Sequence, residues 1–182
     1  MRRPVPFLAF VACGLIASGA ACRAEVGASQ EAAPATATIR DLAGNEVGSA
    51  TLTEGAEGVV VAVELRDLPA GPHALHIHET GLCEPPFASA GGHAKGAGKK
   101  HGILSPDGMH EGDLPNVHVP DSGSLRVDAF AAGATLGAGD DGRLALLDQD
   151  GAAIVIHAGP DDYATDPAGA AGDRIACGVI TG

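Results

Sequence analysis

Tryptophan is missing from this chain of 182 residues, tyrosine occurs once and phenylalanine four times. Two of the phenylalanines, Phe7 and Phe10, fall in the first apolar run, so the remainder carries only Phe87, Phe130 and Tyr163. Rings so few and scattered do not make a base-stacking platform. Cations are scarce as well: Lys and Arg number 11 against 23 Asp and Glu, for a net charge of −12. A chain this acidic repels phosphate backbones and anionic membrane surfaces. Nucleic acid is excluded as a partner. No HExxH pattern is present, which removes the commonest zinc-hydrolase signature. No window of a dozen residues carries a 3.6-residue apolar period, so helices are not expected to build the core.

One apolar run stands at the start. Arg2 and Arg3 precede "VPFLAFVACGLIASGAA", which ends among small residues. It is short for a membrane span and is interrupted by Pro6, Gly14 and Gly19, so residues 1–21 read as an export signal peptide. "GAAC" at 19–22 fits lipoprotein cleavage before Cys22, whose lipid would tether the protein to a membrane. Ordinary cleavage near Ala20 or Ala24 is the other reading. Residues 22–36, small and polar without a period, read as a flexible tether. The expected location is the periplasm, lipid-anchored if Cys22 is modified. With Cys13 in the signal and Cys22 at its end, Cys83 and Cys177 remain. Export permits a disulfide between them, and two free buried thiols are the alternative.

From about Ala37 onward come short β-type runs, among them "ATIRD", "VGSATLTE", "GVVVAVELRDL", "HALHIHE", "GSLRVDAFA" and "AAIVIHA". Turn signals such as Pro106-Asp107-Gly108 and Asp150-Gly151 separate several of them. This spacing predicts an antiparallel sandwich or barrel over residues 37–182. Residues 79–113 and 158–174 are long, glycine-rich and without strand character, the usual mark of functional loops.

The eight histidines are not spread evenly. In "HALHIHETGLC" (73–83), His76 and His78 alternate with Leu75 and Ile77, so a strand would turn both imidazoles to one face. His93, His101, His110 and Asp113 follow in the first long loop, and His157 ends "AIVIH". Six imidazoles and a carboxylate so concentrated point to metal. Imidazole nitrogens suit copper and zinc, and a carboxylate among them suits zinc.

The stretches "GPHALHIHETGLC", "SAGGH", "KHGILSPDGMHEGDLPN", "VIHAGPDDYATDP" and "AGDRIACGVI", in this order and spacing, resemble a copper/zinc superoxide dismutase of the bacterial exported type. The resemblance covers nearly everything from Ala37 onward. It implies an all-β fold, an eight-stranded antiparallel Greek-key sandwich or barrel with a metal-binding loop and an electrostatic loop. It implies copper at His76, His78, His93 and His157, and zinc at His93, His101, His110 and Asp113, with His93 bridging. It further implies that Arg174 attracts and orients superoxide, that Asp161 links a copper histidine to a zinc histidine, and that Cys83 and Cys177 are bonded. His73 would be structural and His118 an ordinary strand residue. Monomer and homodimer both occur in such proteins, and the sequence leaves assembly open. Five residues depart from the family pattern: Ala74 stands where glycine is usual and Leu75 where phenylalanine is common, and Ala94, Lys95 and Gly96 follow His93 where an aromatic residue, asparagine and proline are usual, which predicts a zinc loop held less firmly. Lys95, Lys99 and Lys100 read as solvated loop lysines. The competing reading is a copper or zinc carrier of the same fold without turnover; Arg174 and Asp161 argue against it, since a carrier needs neither a substrate guide nor a rigid bridge.

Overall fold

The computed structural model describes residues 33–139 and 141–182. The expected signal 1–21, Cys22 and most of the tether lie outside the described residues. Strand β1 (Ala35–Asp41) begins two residues earlier than the sequence boundary at Ala37, because Ala35 is fully buried opposite Leu52 and Thr36 bridges Thr181.

Strands β2 (Glu46–Glu54) and β3 (Gly58–Leu65) follow β1 as a meander. Their alternation is the sequence pattern made physical. Ala37, Ile39, Ala50, Leu52, Val59, Val61 and Val63 point inward, while Thr51, Val60 and Glu64 face water. Next come β4 (Gly71–His73), β5 (Leu75–His78), β6 (Val117–Val119), β7 (Leu125–Ala132), β8 (Ala134–Thr135), β9 (Leu144–Ala145), β10 (Ala153–His157) and β11 (Arg174–Val179). Seven strands form one antiparallel sheet in the order β5-β10-β11-β1-β2-β3-β7. β11 returns to lie beside β1, which gives the β11-β1-β2-β3 portion Greek-key order. β4 and β6 pair with each other, and each leads almost directly into an edge strand, β5 or β7, so this pair brings the two edges of the curled sheet together.

The all-β antiparallel architecture is as expected. Among the described residues there are eleven strands rather than eight, since short pairs are split off: Ala74 separates β4 from β5, and "RLALLD" contributes only two strand residues, in a parallel pair with β8. β6 contains His118, expected as a strand residue, although its three residues are too few to stand out as a β-type run.

β5 and β10 are buried on both faces. Leu75, Ile77, Ile154 and Ile156 face the main core. On the opposite face, Ala153, Val155 and Cys177 pack under Phe87 and Ala90 of the loop after β5, which also carries a single 3-10 turn, Ala88–Ala90. His76, His78 and His157 share that covered face. The long loops therefore roof the sheet, and the histidines lie beneath.

Candidate metal centre

The register of two strands sets the first group. His76 lies opposite Val155 and His78 opposite Ala153, so the β10 residues that end in His157 share the imidazole face. A bulge at the end of β10 then matters. Ile156 pairs with Ala176 but His157 pairs with Arg174, skipping Ile175. Directly opposed residues point to the same face, so the bulge places Arg174 beside His157, where Ile175 would otherwise stand.

Backbone bonds interlock the loop with β5. Ala94 N–H donates to the Ile77 carbonyl, Gly112 N–H to the Ala94 carbonyl, and Ile77 N–H to the Gly112 carbonyl. Gly112 is required here, because a Cβ would collide with the Ile77 carbonyl oxygen. This brings His93 next to His78 and Asp113 next to His76.

Two groups result, sharing one ring: His76, His78, His93 and His157, and His93, His101, His110 and Asp113. In each, the ligand atoms lie within 4.8 Å of one another, and every member is buried. All the sequence-expected metal residues are thus brought together.

The ring protons are already assigned by what surrounds them. His78 Nδ1–H donates to the Gly91 carbonyl at 3.0 Å and His157 Nδ1–H to the Gly172 carbonyl at 3.1 Å. His76 Nε2–H donates to Asp161 Oδ2 at 2.9 Å. Each neutral ring therefore turns a lone pair inward, at His78 Nε2, His157 Nε2 and His76 Nδ1. These nitrogens, with His93 Nε2, are buried and have no hydrogen-bond partner. Unpaired buried acceptors cost free energy unless something binds them, and four nitrogens converging here suit a copper ion.

The second group makes a sharper case. His93, His101 and His110 present Nδ1 to one oxygen, Asp113 Oδ1, at 2.7, 3.0 and 3.3 Å. His101 Nε2–H is committed to Asp161 Oδ1 at 2.9 Å, so its Nδ1 lone pair faces a carboxylate oxygen. Two lone pairs at that distance repel unless a cation lies among them. Three nitrogens and one oxygen match tetrahedral zinc.

Burial dominates the titration of these groups. It pushes His76 down to about 4 despite the pull of Asp161, and His157 to about 4 despite its bond to Gly172. His78 is lowered further by burial and His93, and the nearby charge of Arg174 lowers both His78 and His157. For Asp113, burial alone would raise the pKa, but bonds from His93 and the N–H groups of Gly102 and His110 carry it well below the carboxylate range. Asp161 is likewise opposed by burial yet lowered by His76 and His101.

A pH dependence follows for the metal-free protein. Between about pH 4 and 6.5 the unfolded chain binds protons at His76 and His157 and the folded chain does not, so stability is lost as pH falls through this window. The expected loss is on the order of 3 kcal/mol for each histidine. Urea unfolding of metal-free protein at pH 7 and pH 4.5 checks it; equal midpoints would contradict the assignment of neutral buried rings.

Arg174 is half-buried and donates through NH1 to the Phe87 carbonyl and through NH2 to the Gly91 carbonyl, both at 2.6 Å. Gly91 thus serves both His78 and Arg174. Cys83 and Cys177 form a disulfide that pins this loop to β11. A formed disulfide belongs with export to an oxidising compartment. His73 is buried, with its ring nitrogens against the carbonyls of His157 and Pro69, in keeping with a structural role, and His118 is exposed on β6. Lys100 is an exposed partner of Asp107 at 3.7 Å, whereas Lys99 is bonded to Glu111.

Sequence reasoning gave no role to Asn116 or Tyr163. Asn116 Nδ2 donates to the Asp161 carbonyl and its Oδ1 accepts the Asp161 N–H, clamping that residue's backbone on both sides. Tyr163 accepts the Asn116 N–H on its hydroxyl. Gly169, at φ 63, packs against the Asp161 carboxylate where a Cβ would collide with it. The only trace of this clamp was an amide side chain three residues after Asp113 in "DLPN".

The family model described as copper/zinc superoxide dismutase (SODC) matches residues 46–180. Superoxide dismutase [Cu-Zn] 2 of Aquifex aeolicus is 47% identical over 148 residues, covering 80% of this chain and 85% of that protein. Superoxide dismutase [Cu-Zn] of Caulobacter vibrioides is 46% identical over 149 residues, 80% of this chain and 84% of that one. Among solved structures, Cu/Zn superoxide dismutase from Brucella abortus aligns with a TM-score of 0.61 at 28% identity, covering 80% of this chain and 98% of that chain. A superoxide-dismutase-like protein from Bacillus subtilis aligns at 0.75 with 36% identity, covering 80% of this chain and 97% of that chain.

Proposed function

The chain belongs to the copper/zinc superoxide dismutase family, and we infer from its two histidine groups which residues carry that chemistry here. The protein is an oxidoreductase that uses copper and zinc to convert two superoxide anions and two protons into dioxygen and hydrogen peroxide. Copper, when bound, supplies the one-electron couple between the two half-reactions, while zinc, with a filled d shell, supplies charge alone.

In our reading His76, His78, His93 and His157 hold copper, and His93, His101, His110 and Asp113 hold zinc. The observation that carries it is the fixed tautomers: three rings have their outward nitrogens committed to carbonyls or to Asp161 and turn bare nitrogens inward. His93 faces one group with Nε2 and the other with Nδ1. A doubly deprotonated ring is stable only between two cations, so with no cation beside it His93 Nε2 would carry a proton. Arg174 spends two of its five N–H groups on carbonyls, leaving the others to draw in a small anion beside His157. That local charge opposes the repulsion set up by a net charge of −12.

We further propose a periplasmic protein, released from a signal at 1–21, tethered through 22–36 and lipidated at Cys22. Radiolabelled palmitate incorporated by the full chain and lost on Cys22→Ser tests this.

The activity test is superoxide disproportionation by protein loaded with copper and zinc, compared with Arg174→Ala. We expect kcat/KM to fall about tenfold or more, with a shallower dependence on ionic strength. Tight copper binding with negligible turnover in the unaltered protein would overturn the enzyme reading in favour of a metal carrier.

A further inference from the structure

The segment between His93 and His101, where Ala94, Lys95 and Gly96 depart from the family pattern, has a fastening of its own. Glu111 stands between two of the residues assigned to zinc, His110 and Asp113, and its side chain is 7% exposed. Its carboxylate belongs to neither metal group. Its Oε2 accepts the Gly96 N–H at 2.8 Å, and its Oε1 accepts from Lys99 Nζ at 2.5 Å. Gly133 lies nearby, where an added Cβ would be in ordinary contact with the Glu111 Cγ.

The carboxylate therefore ties the middle of the 94–100 segment to the 110–113 segment, and these two stretches carry or flank all four residues of the second group. A buried charge is kept only where it is paired and hydrogen-bonded, and Glu111 meets both conditions with partners from this one loop. We infer that Glu111, with Lys99, is a positioning device for the zinc site, setting the span from His93 to His101 from outside the ligand shell. Removing outer groups that orient ligands typically weakens metal binding 10- to 100-fold, and the same range is expected here. The inference rests on the zinc assignment made above.

Zinc affinity and the rate of zinc release to a competing chelator are measured on copper-loaded protein for Glu111→Ala, Glu111→Gln and Lys99→Met. Glu111→Ala is expected to weaken zinc about 10- to 100-fold. Glu111→Gln keeps an oxygen for the Gly96 N–H and is expected to recover part of the loss; Lys99→Met, which keeps that bond too, should lie near it. Cobalt(II) placed in the zinc site should lose intensity in its tetrahedral visible bands in the same order, while copper affinity stays within error of the unaltered protein. Zinc affinity within twofold of the unaltered protein in Glu111→Ala would overturn the inference. So would parallel loss of copper, zinc and metal-free stability, which marks a merely structural residue. Failure of the unaltered protein to take up zinc would instead overturn the assignment on which the inference stands.

Discussion

Asp161→Asn should cripple the metal centre although it changes neither size nor shape. Asp161 accepts a hydrogen bond from each of two rings, from His76 Nε2–H on Oδ2 and from His101 Nε2–H on Oδ1. An asparagine has one acceptor oxygen and one donor amide, so one of the two rings would face a donor with a donor. That ring must rotate or shift its proton to Nδ1, the nitrogen assigned to metal. The cost therefore falls on one metal: copper if His76 yields, zinc if His101 does. Weakening of 10- to 100-fold is expected for that metal. Asp161→Ala, which frees both rings, should weaken both, with turnover falling by the larger factor. Copper and zinc titrations of the two variants separate the cases. Retention of both metals at full affinity in Asp161→Asn would mean that the tautomers are fixed by something other than this carboxylate.

The same arrangement explains why Asp161 resists disturbance. Asn116 clamps its backbone on both sides, Tyr163 N–H donates to its Oδ1 at 2.6 Å, and Gly169 leaves room for the carboxylate. The two metal groups are thus coupled through His93 directly and through Asp161 from behind.

The histidines and the carboxylate that make up the two groups were legible in the sequence because their crowding is local. His76 and His78 announce themselves by alternation with Leu75 and Ile77, and His93, His101, His110 and Asp113 by crowding into one loop. What could not be read is geometry created by non-local pairing. The bulge that skips Ile175 depends on how β10 meets β11, and without it Arg174 would point away from His157. Asn116, Tyr163 and Glu111 act through partners 45, 47 and 15 residues away, distances at which no local pattern survives. Short strands fared worst, since β4, β6, β8 and β9 have two or three residues each and owe their existence to neighbours.

Removing the disulfide, by changing Cys83 and Cys177 together to serine so that no stray thiol remains, should cost stability and turnover through separable routes. The bond closes a loop of 94 residues in sequence separation, for which the chain-entropy account gives about 4 to 5 kcal/mol. Urea unfolding of the metal-loaded and metal-free forms should show the loss in both, because the constraint acts on the unfolded chain. The effect on turnover has a different origin. Phe87 and Gly91, whose carbonyls hold the two ends of the Arg174 guanidinium, lie in the loop that Cys83 anchors, and Cys177 lies three residues beyond Arg174 on β11. Once the loop is released, those carbonyls no longer have a fixed place relative to β11, and Arg174 loses its aim even in molecules that remain folded. Conditions well below the unfolding midpoint then isolate the second effect. Adding Arg174→Ala to the serine pair should lower kcat/KM by less than it does in the disulfide-bonded protein, since an arginine already misplaced has less to lose. Fully multiplicative losses would show that Arg174 is held by β11 alone and that the disulfide serves stability only.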